Sequence, residues 1–126
     1  MSLENALEAV RRDLRSTGGI KLRISEEPAT SDPGYESVLL LSGRRSTTGV
    51  LAPTAMSADE RLVQVADQVQ DFVLEELGRL GLPATWPECP EHPASHPLSA
   101  VLTSSGPRWQ CPKSSKNISV IGELPR

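Results

Sequence analysis

Aromatic residues are scarce in this chain of 126 residues, in which Phe, Trp and Tyr together make up 3%. The apolar fraction of 37% therefore consists mainly of Leu, Val, Ile and Ala. A hydrophobic core has to be built from aliphatic side chains. A chain of this length is expected to form one domain, or one domain with a small appendage.

Basic residues are not in excess either, since 13 Lys and Arg stand against 16 Asp and Glu and the formal net charge is −3. A protein that binds duplex DNA usually presents a basic face, which this composition does not favour. No apolar run approaches the roughly 20 residues that a membrane-spanning helix needs. The N-terminal residues are amphipathic and include acidic side chains, unlike a signal peptide, so we expect a cytoplasmic location.

Cysteine and histidine are also rare, with two residues of each type, yet all four lie between positions 89 and 111. In a cytoplasmic protein, two cysteines are expected to be thiols or metal ligands rather than a disulfide. Their spacing is C-x2-H-x3-H-x14-C, and closed sets of two cysteines and two histidines are typical of structural zinc sites. The sequence therefore predicts a structural zinc cofactor bound by Cys89, His92, His96 and Cys111.

The zinc site departs from the usual pattern at one ligand, and two alternatives to it remain open. In an ordinary zinc ribbon the second turn supplies a ligand at the position of Ser114, so His96 has to replace it here. A ribbon that has lost its metal would keep much the same sequence. A disulfide between Cys89 and Cys111 would form if the compartment were oxidising.

The two tryptophans, Trp86 and Trp109, each precede one of the cysteines. One interpretation makes them a binding surface, on which bases stack or a partner protein anchors. The other makes them the small core of the C-terminal segment, because a small unit needs large side chains to bury enough area.

Hydrophobic periodicity predicts two helices within residues 1–82. The first has Ser2 as its N-terminal cap and stops at Gly18–Gly19; Leu3, Leu7, Val10 and Leu14 share one face. The second begins at Ser57, where "SADE" is a capping box, and ends near Gly81 before Pro83. Its apolar stripe consists of Leu62, Val65, Ala66, Val69, Phe72, Val73, Leu77 and Leu80.

Three strands are predicted between these helices. "IKLRIS" alternates apolar and polar residues, "SVLLLS" contains four consecutive apolar residues suited to a central strand, and "TGVLA" returns as a third strand. The expected fold of residues 1–82 is α+β, with two helices covering a small antiparallel sheet of about three strands.

Residues 83–126 begin with a proline-rich stretch and continue with short strands. "LSAVL" and "RWQC" flank "TSSGP" as a hairpin, and "ISVIG" supplies a third strand. We expect this segment to form a zinc-ribbon-like β appendage to the first domain.

The segments "WPECPEHPASHPLSAVL", "PRWQCPKS" and "VIGEL" resemble the C-terminal part of small uncharacterised actinobacterial proteins. In that family a W-P-x-C-P-x-H segment, an H-P-L and a later W-x-C-P recur in the same order. The resemblance implies that the two tryptophans, the two cysteines and the two histidines form one unit. It implies no activity.

The sequence favours a non-catalytic binding or adaptor module, because the H-E-x-x-H, deaminase, P-loop and G-x-S-x-G motifs are all missing. Its partner is expected to be an unknown protein or a second copy of the chain. The first alternative is a nucleic-acid-binding protein that uses Arg108, Trp109, Lys113 and Lys116 of the ribbon. The second is a metal-dependent hydrolase, which requires one ligand position open to water.

Overall fold

The computed structural model describes residues 1–17, 20–25, 27–43 and 45–125. The predicted stop of the first helix, Gly18–Gly19, lies outside these residues. The helices are α1 (Leu3–Ser16) and α2 (Ala58–Arg79). The strands are β1 (Arg23–Ser25), β2 (Tyr35–Ser42), β3 (Ser46–Pro53), β4 (Ser99–Thr103), β5 (Gly106–Gln110) and β6 (Asn117–Val120).

Helix α1 forms where its apolar spacing predicted. The Ser2 hydroxyl accepts a hydrogen bond from the Asn5 amide, which satisfies one of the free N–H groups of the first turn. The apolar residues of one face are buried in the core: Leu3, Ala6, Leu7, Val10 and Leu14. The predicted helix is confirmed.

The first sheet is antiparallel in the order β1-β2-β3, so "SVLLLS" is the central strand as predicted. Leu40 of β2 and Val50 of β3 are fully buried. Strand β1 is shorter than the predicted strand and begins only at Arg23, which pairs with Leu41. Strand β2 ends one residue later and the chain turns at Gly43, so the residues before Arg23 have little strand to pair with.

Helix α2 lies at the centre of the molecule, in contact with α1, with β3 and with the strands β4 and β5. The serine half of the predicted capping box forms, since the Ser57 hydroxyl accepts from the Glu60 amide at 3.3 Å. The predicted apolar stripe is too long by one residue. The helix ends at Arg79, and Leu80 beyond it is 55% exposed.

The second sheet is antiparallel in the order β4-β5-β6, which confirms the predicted hairpin and third strand. Its side chains share one hydrophobic core with the helices and the first sheet, and Trp109 and Ile121 are part of that core. Two helices and two small antiparallel sheets in the described residues confirm the α+β class. The domain boundary at residue 83 stays a prediction.

Asp13 is fully buried in α1 and joins the helix to the C-terminal segment. One carboxylate oxygen accepts hydrogen bonds from the Trp109 indole and the Gly122 amide, both at 2.7 Å. The other accepts from the Leu124 amide at 2.9 Å. Burial raises the pKa of Asp13, although these hydrogen bonds favour the ionised form.

A second buried polar residue, Gln70 of α2, fixes the chain before β4. Its amide nitrogen donates to the carbonyl oxygens of Trp86 and Leu98. These carbonyls lie at the two ends of the proline-rich stretch, so one side chain satisfies backbone groups that no strand or helix pairs.

Leu62→Ala is expected to lower the free energy of unfolding by about 2–5 kcal/mol, because the truncation leaves a cavity in the core. Leu80→Ala is the matched control, since Leu80 is exposed and its loss should change stability by about 0.5 kcal/mol or less. Urea denaturation followed by circular dichroism measures both. Equal losses of unfolding free energy in the two variants would contradict the burial of Leu62 and the exposure of Leu80.

Asp13→Asn replaces one acceptor oxygen by an NH2 group, which leaves at least one buried N–H of the C-terminal segment without an acceptor. We expect a loss of about 1–3 kcal/mol in the free energy of unfolding. Asp71→Asn on the exposed face of α2 should stay within about 0.5 kcal/mol. The same urea titration measures both variants. If the free energy of unfolding of Asp13→Asn were unchanged, the carboxylate would not be what joins α1 to the C-terminal segment.

Candidate metal centre

The chain between α2 and β4 reaches the candidate site without forming a helix or strand. Residues 89–96, called the knuckle loop below, are held instead by local hydrogen bonds. The His92 amide donates to the Cys89 carbonyl at 3.1 Å, and the Ser95 amide donates to the His92 carbonyl at 3.2 Å. At the base of the loop, Glu88 and Pro97 form an isolated antiparallel bridge. These two turns direct the side chains of Cys89, His92 and His96 to the same side.

The fourth residue, Cys111, directly follows β5 at the start of a second turn. Its amide donates to the Lys116 carbonyl and its carbonyl accepts from the Ser115 amide, both at 2.9 Å. The turn returns the chain to the sheet as β6. Cys111 is therefore positioned by the end of a strand, while the other three residues are positioned by the knuckle loop.

The structure brings all four predicted residues together. Their ligand atoms, two sulfurs and two ring nitrogens, lie within 4.8 Å of one another. The His92 Nδ1 lies 3.6 Å from the Cys89 Sγ and 3.6 Å from the Cys111 Sγ. The His96 Nε2 lies 3.9 Å from the Cys111 Sγ and 3.0 Å from the His92 Nδ1. This group could hold a metal ion.

The His96 ring has a defined orientation. Its Nδ1 lies 3.0 Å from the Pro97 carbonyl oxygen, and a carbonyl can only accept a hydrogen bond. The proton therefore belongs on Nδ1, which leaves the Nε2 lone pair directed at the cluster. A metal-binding histidine usually has such a partner on its other nitrogen.

Both cysteines are fully buried free thiols, so the alternative disulfide is not formed in this structure. Desolvation raises the pKa of Cys111, but hydrogen bonds from Ser114 and from the Lys113 amide outweigh it and bring the pKa down to about 6. The Ser114 amide lies 3.5 Å from the sulfur. The thiolate is the form that binds metal ions, so the second turn favours the ligating state.

His96 reaches the cluster, and its replacement of Ser114 as a ligand stays a prediction. The Ser114 hydroxyl donates to Glu91 of the knuckle loop at 3.0 Å. The other Glu91 oxygen pairs with the Lys116 ammonium at 3.6 Å. Glu91 was not identified from the sequence, and it links the two turns that carry the four ligand residues.

Both tryptophans are buried and contact each other edge to face, with ring centroids 5.6 Å apart. The Trp86 indole donates to the Thr17 hydroxyl at 2.9 Å, and the Trp109 indole donates to Asp13. This burial agrees with the interpretation as a core. Trp109 has no exposed surface, whereas Trp86 is 6% exposed. A direct binding role stays a prediction.

Comparisons with protein-family models, with curated proteins and with solved structures find no match to this chain. In the part of the chain that the structure describes, neither helix combines the length and the apolar character that crossing a membrane requires.

Cys111→Ser is expected to weaken metal binding by a factor of about 100 or more, because even residues that only orient a ligand contribute about 10–100-fold. Ser114→Ala is the comparison variant, since Ser114 supports the site without being one of its four candidate ligand residues, and its loss should weaken binding only about tenfold. Titration with Co(II), followed by its visible absorption, measures both affinities. Equal affinities of Cys111→Ser and the unmodified chain would exclude Cys111 as a ligand.

Proposed function

We propose that this chain is a non-catalytic binding or adaptor protein in which a structural zinc ion holds residues 83–126 in a zinc-ribbon-like arrangement. The spacing of the four ligand atoms is the observation that supports it. With Zn–S near 2.3 Å and Zn–N near 2.0 Å, a tetrahedron places sulfur and nitrogen about 3.5 Å apart. Three of the four sulfur–nitrogen distances are 3.6, 3.6 and 3.9 Å, and all pairs of ligand atoms lie within 4.8 Å of one another.

The ligand types favour zinc over other ions. Two thiolates and two imidazoles in tetrahedral arrangement suit zinc, whereas magnesium and calcium prefer oxygen ligands. The two nitrogens are 3.0 Å apart, slightly closer than the roughly 3.3 Å of an ideal zinc tetrahedron. A bound ion would separate them by a few tenths of an ångström.

A structural role follows from the number of protein ligands. Catalytic zinc sites use three protein ligands and leave the fourth position to water or substrate. Here four side chains surround one point, and both sulfurs are fully buried. A closed set of this kind leaves no position for the water that a metal-dependent hydrolase activates.

The zinc ion would stabilise a segment that has few other means of holding its shape. The knuckle loop contains prolines 90 and 93 and has no regular secondary structure. The ion would join this loop to the end of β5, and folding free energy would come from metal binding. The cytoplasmic location belongs to the same proposal, because a reducing compartment keeps both cysteines available as ligands.

A protein partner is favoured by exposed apolar side chains at the end of α2. Leu80 is 55% exposed and Leu82 is 51% exposed, and the two are separated only by Gly81. Grouped apolar residues on a surface mark interaction sites more often than isolated ones do. Such a surface suits either a different protein or a second copy of this chain.

Nucleic-acid binding is less well supported by the geometry. Stacking on bases needs an exposed aromatic face, and Trp109 is fully buried. Lys116 is paired with Glu91, so its charge is partly compensated. For the other two predicted contact residues, Arg108 and Lys113, the structure adds no support for nucleic-acid binding.

X-ray absorption at the zinc edge tests the structural role directly. We expect a shell of two sulfurs near 2.3 Å and two nitrogens near 2.0 Å, because a closed site fills every position with protein atoms. Cys111→Ser should lose one sulfur, and Ser114→Ala should keep the full shell. Three protein ligands and one oxygen in the unmodified chain would instead favour the hydrolase.

A titration with single-stranded RNA and duplex DNA at low salt separates the two binding hypotheses. We expect no measurable binding to either nucleic acid, because the net charge of the chain is −3 and Trp109 is buried. Binding that falls steeply as salt is added would favour the nucleic-acid alternative.

A further inference from the structure

An apolar groove of about 490 Å³ lies beside the candidate metal centre. It is formed by the C-terminal ends of α1 and α2, by the chain that leads into the knuckle loop, and by the C-terminal segment. Its walls are mainly apolar and include Val73, Leu77, Trp86, Pro87, Pro90 and Leu124. A volume of this size is typical of sites that bury a ligand or an anchoring side chain.

One end of this groove is basic. A second cleft shares Ser16, Leu124 and Pro125 with the groove and is lined by Arg12 and Arg15. Arg15 pairs with Glu8 at 2.5 Å, while Arg12 is exposed and has no ion pair within the described residues. On a chain of net charge −3, this end is a local exception that attracts an anionic group.

The apolar surface also continues beyond the groove. Leu82 directly precedes the lining residue Pro83, and its amide is hydrogen-bonded at 2.8 Å to the carbonyl of Leu77, which also lines the groove. Leu82 is 51% exposed. A small molecule that fills the groove would leave Leu82 in water, whereas a protein segment that crosses the groove would cover it.

We propose that the groove binds an apolar segment of a partner protein that carries a carboxylate beside its anchoring side chain. The anchor packs against Val73, Leu77 and Trp86, and the carboxylate faces Arg12 and Arg15. This inference rests on the proposed binding function and specifies the chemistry of the partner.

Metal binding and partner binding are coupled in this arrangement. Pro87, Glu88 and Pro90 line the groove, and Cys89 lies among them in the chain. An ion bound by Cys89 would therefore also hold this wall of the groove. By linkage, a segment that binds the zinc-loaded form more tightly raises the affinity for zinc by the same factor.

Selection from a random peptide library displayed on phage, against the zinc-loaded chain, tests the inference. We expect selected peptides to share a large apolar residue followed closely by Asp or Glu. The most enriched peptide is then synthesised and titrated by calorimetry. No consensus, or a consensus without an acidic residue, would overturn the inference.

Variants locate the binding site of the selected peptide. Leu77→Ser should weaken binding by about tenfold or more, because it removes part of the apolar wall. Arg12 lies on the exposed face of α1, so Arg12→Glu leaves the core intact. It should weaken peptide binding about fivefold, because the exposed cation that faces the peptide carboxylate becomes an anion. Leu102→Ser is the control, since Leu102 is exposed in a separate cleft on β4. A peptide whose affinity changes only in the control binds elsewhere and overturns the inference.

Zinc content, measured on the same samples by elemental mass spectrometry, separates the two proposals. Bound zinc without peptide selection supports the structural site and overturns the groove inference. Peptide binding that needs Arg12 and Leu77 in a chain without zinc supports the groove and overturns the zinc proposal. The dye 1-anilinonaphthalene-8-sulfonate provides a last test. If no peptide is enriched, and the dye fluoresces with the unmodified chain but less with Leu77→Ser and Arg12→Glu, the groove binds small amphiphilic anions. That result overturns the inference of a partner segment.

Discussion

The buried carboxylate of Asp13 joins the C-terminal segment to the helices. It accepts hydrogen bonds from Trp109, Gly122 and Leu124, and these three residues lie on both sides of β6. A buried carboxylate is costly without partners and stabilising when its oxygens are saturated with donors. Together with the packing of β4 and β5 on α2, this contact positions the second sheet relative to α1, and with it Cys111, two residues after Trp109.

The candidate metal centre depends on that placement because its ligands come from two separate turns. Trp86 precedes the knuckle loop and its indole donates a hydrogen bond to Thr17. Trp109 precedes the second turn and its indole donates a hydrogen bond to Asp13. Each turn is therefore anchored to the C-terminal end of α1 by an indole N–H group. An ion bound between Cys89 and Cys111 would add a third link to the same arrangement, so the metal centre and the core are expected to stabilise each other. The apolar groove is lined by the first of these anchors, Thr17 and Trp86, and its walls include residues of both helices and Pro90 of the knuckle loop.

Much of the fold was predictable because local patterns specify it. The apolar spacing of α1, the serine cap of α2 and the hairpin of β4 and β5 each depend on residues close in sequence, and all three are confirmed. The predictions failed where a distant partner decides the outcome. Strand β1 is short because β2 ends at Ser42, and Leu80 is exposed because α2 ends before it and the sheets do not extend over it.

The sequence by itself determined the periodicity of the helices, the alternation of the strands and the set of four side chains that could hold a metal ion. The tertiary structure decided which polar residues are buried. By residue type, Asp13, Gln70 and Arg61 would be expected on the exposed faces of amphipathic helices, yet all three are buried. Arg61, for example, donates to the carbonyls of Pro53, Thr54 and Met56 at the end of β3. The partners of Asp13 lie 96 or more residues away, and no local pattern carries information about a contact over that distance, because it exists only once the sheets and helices have packed.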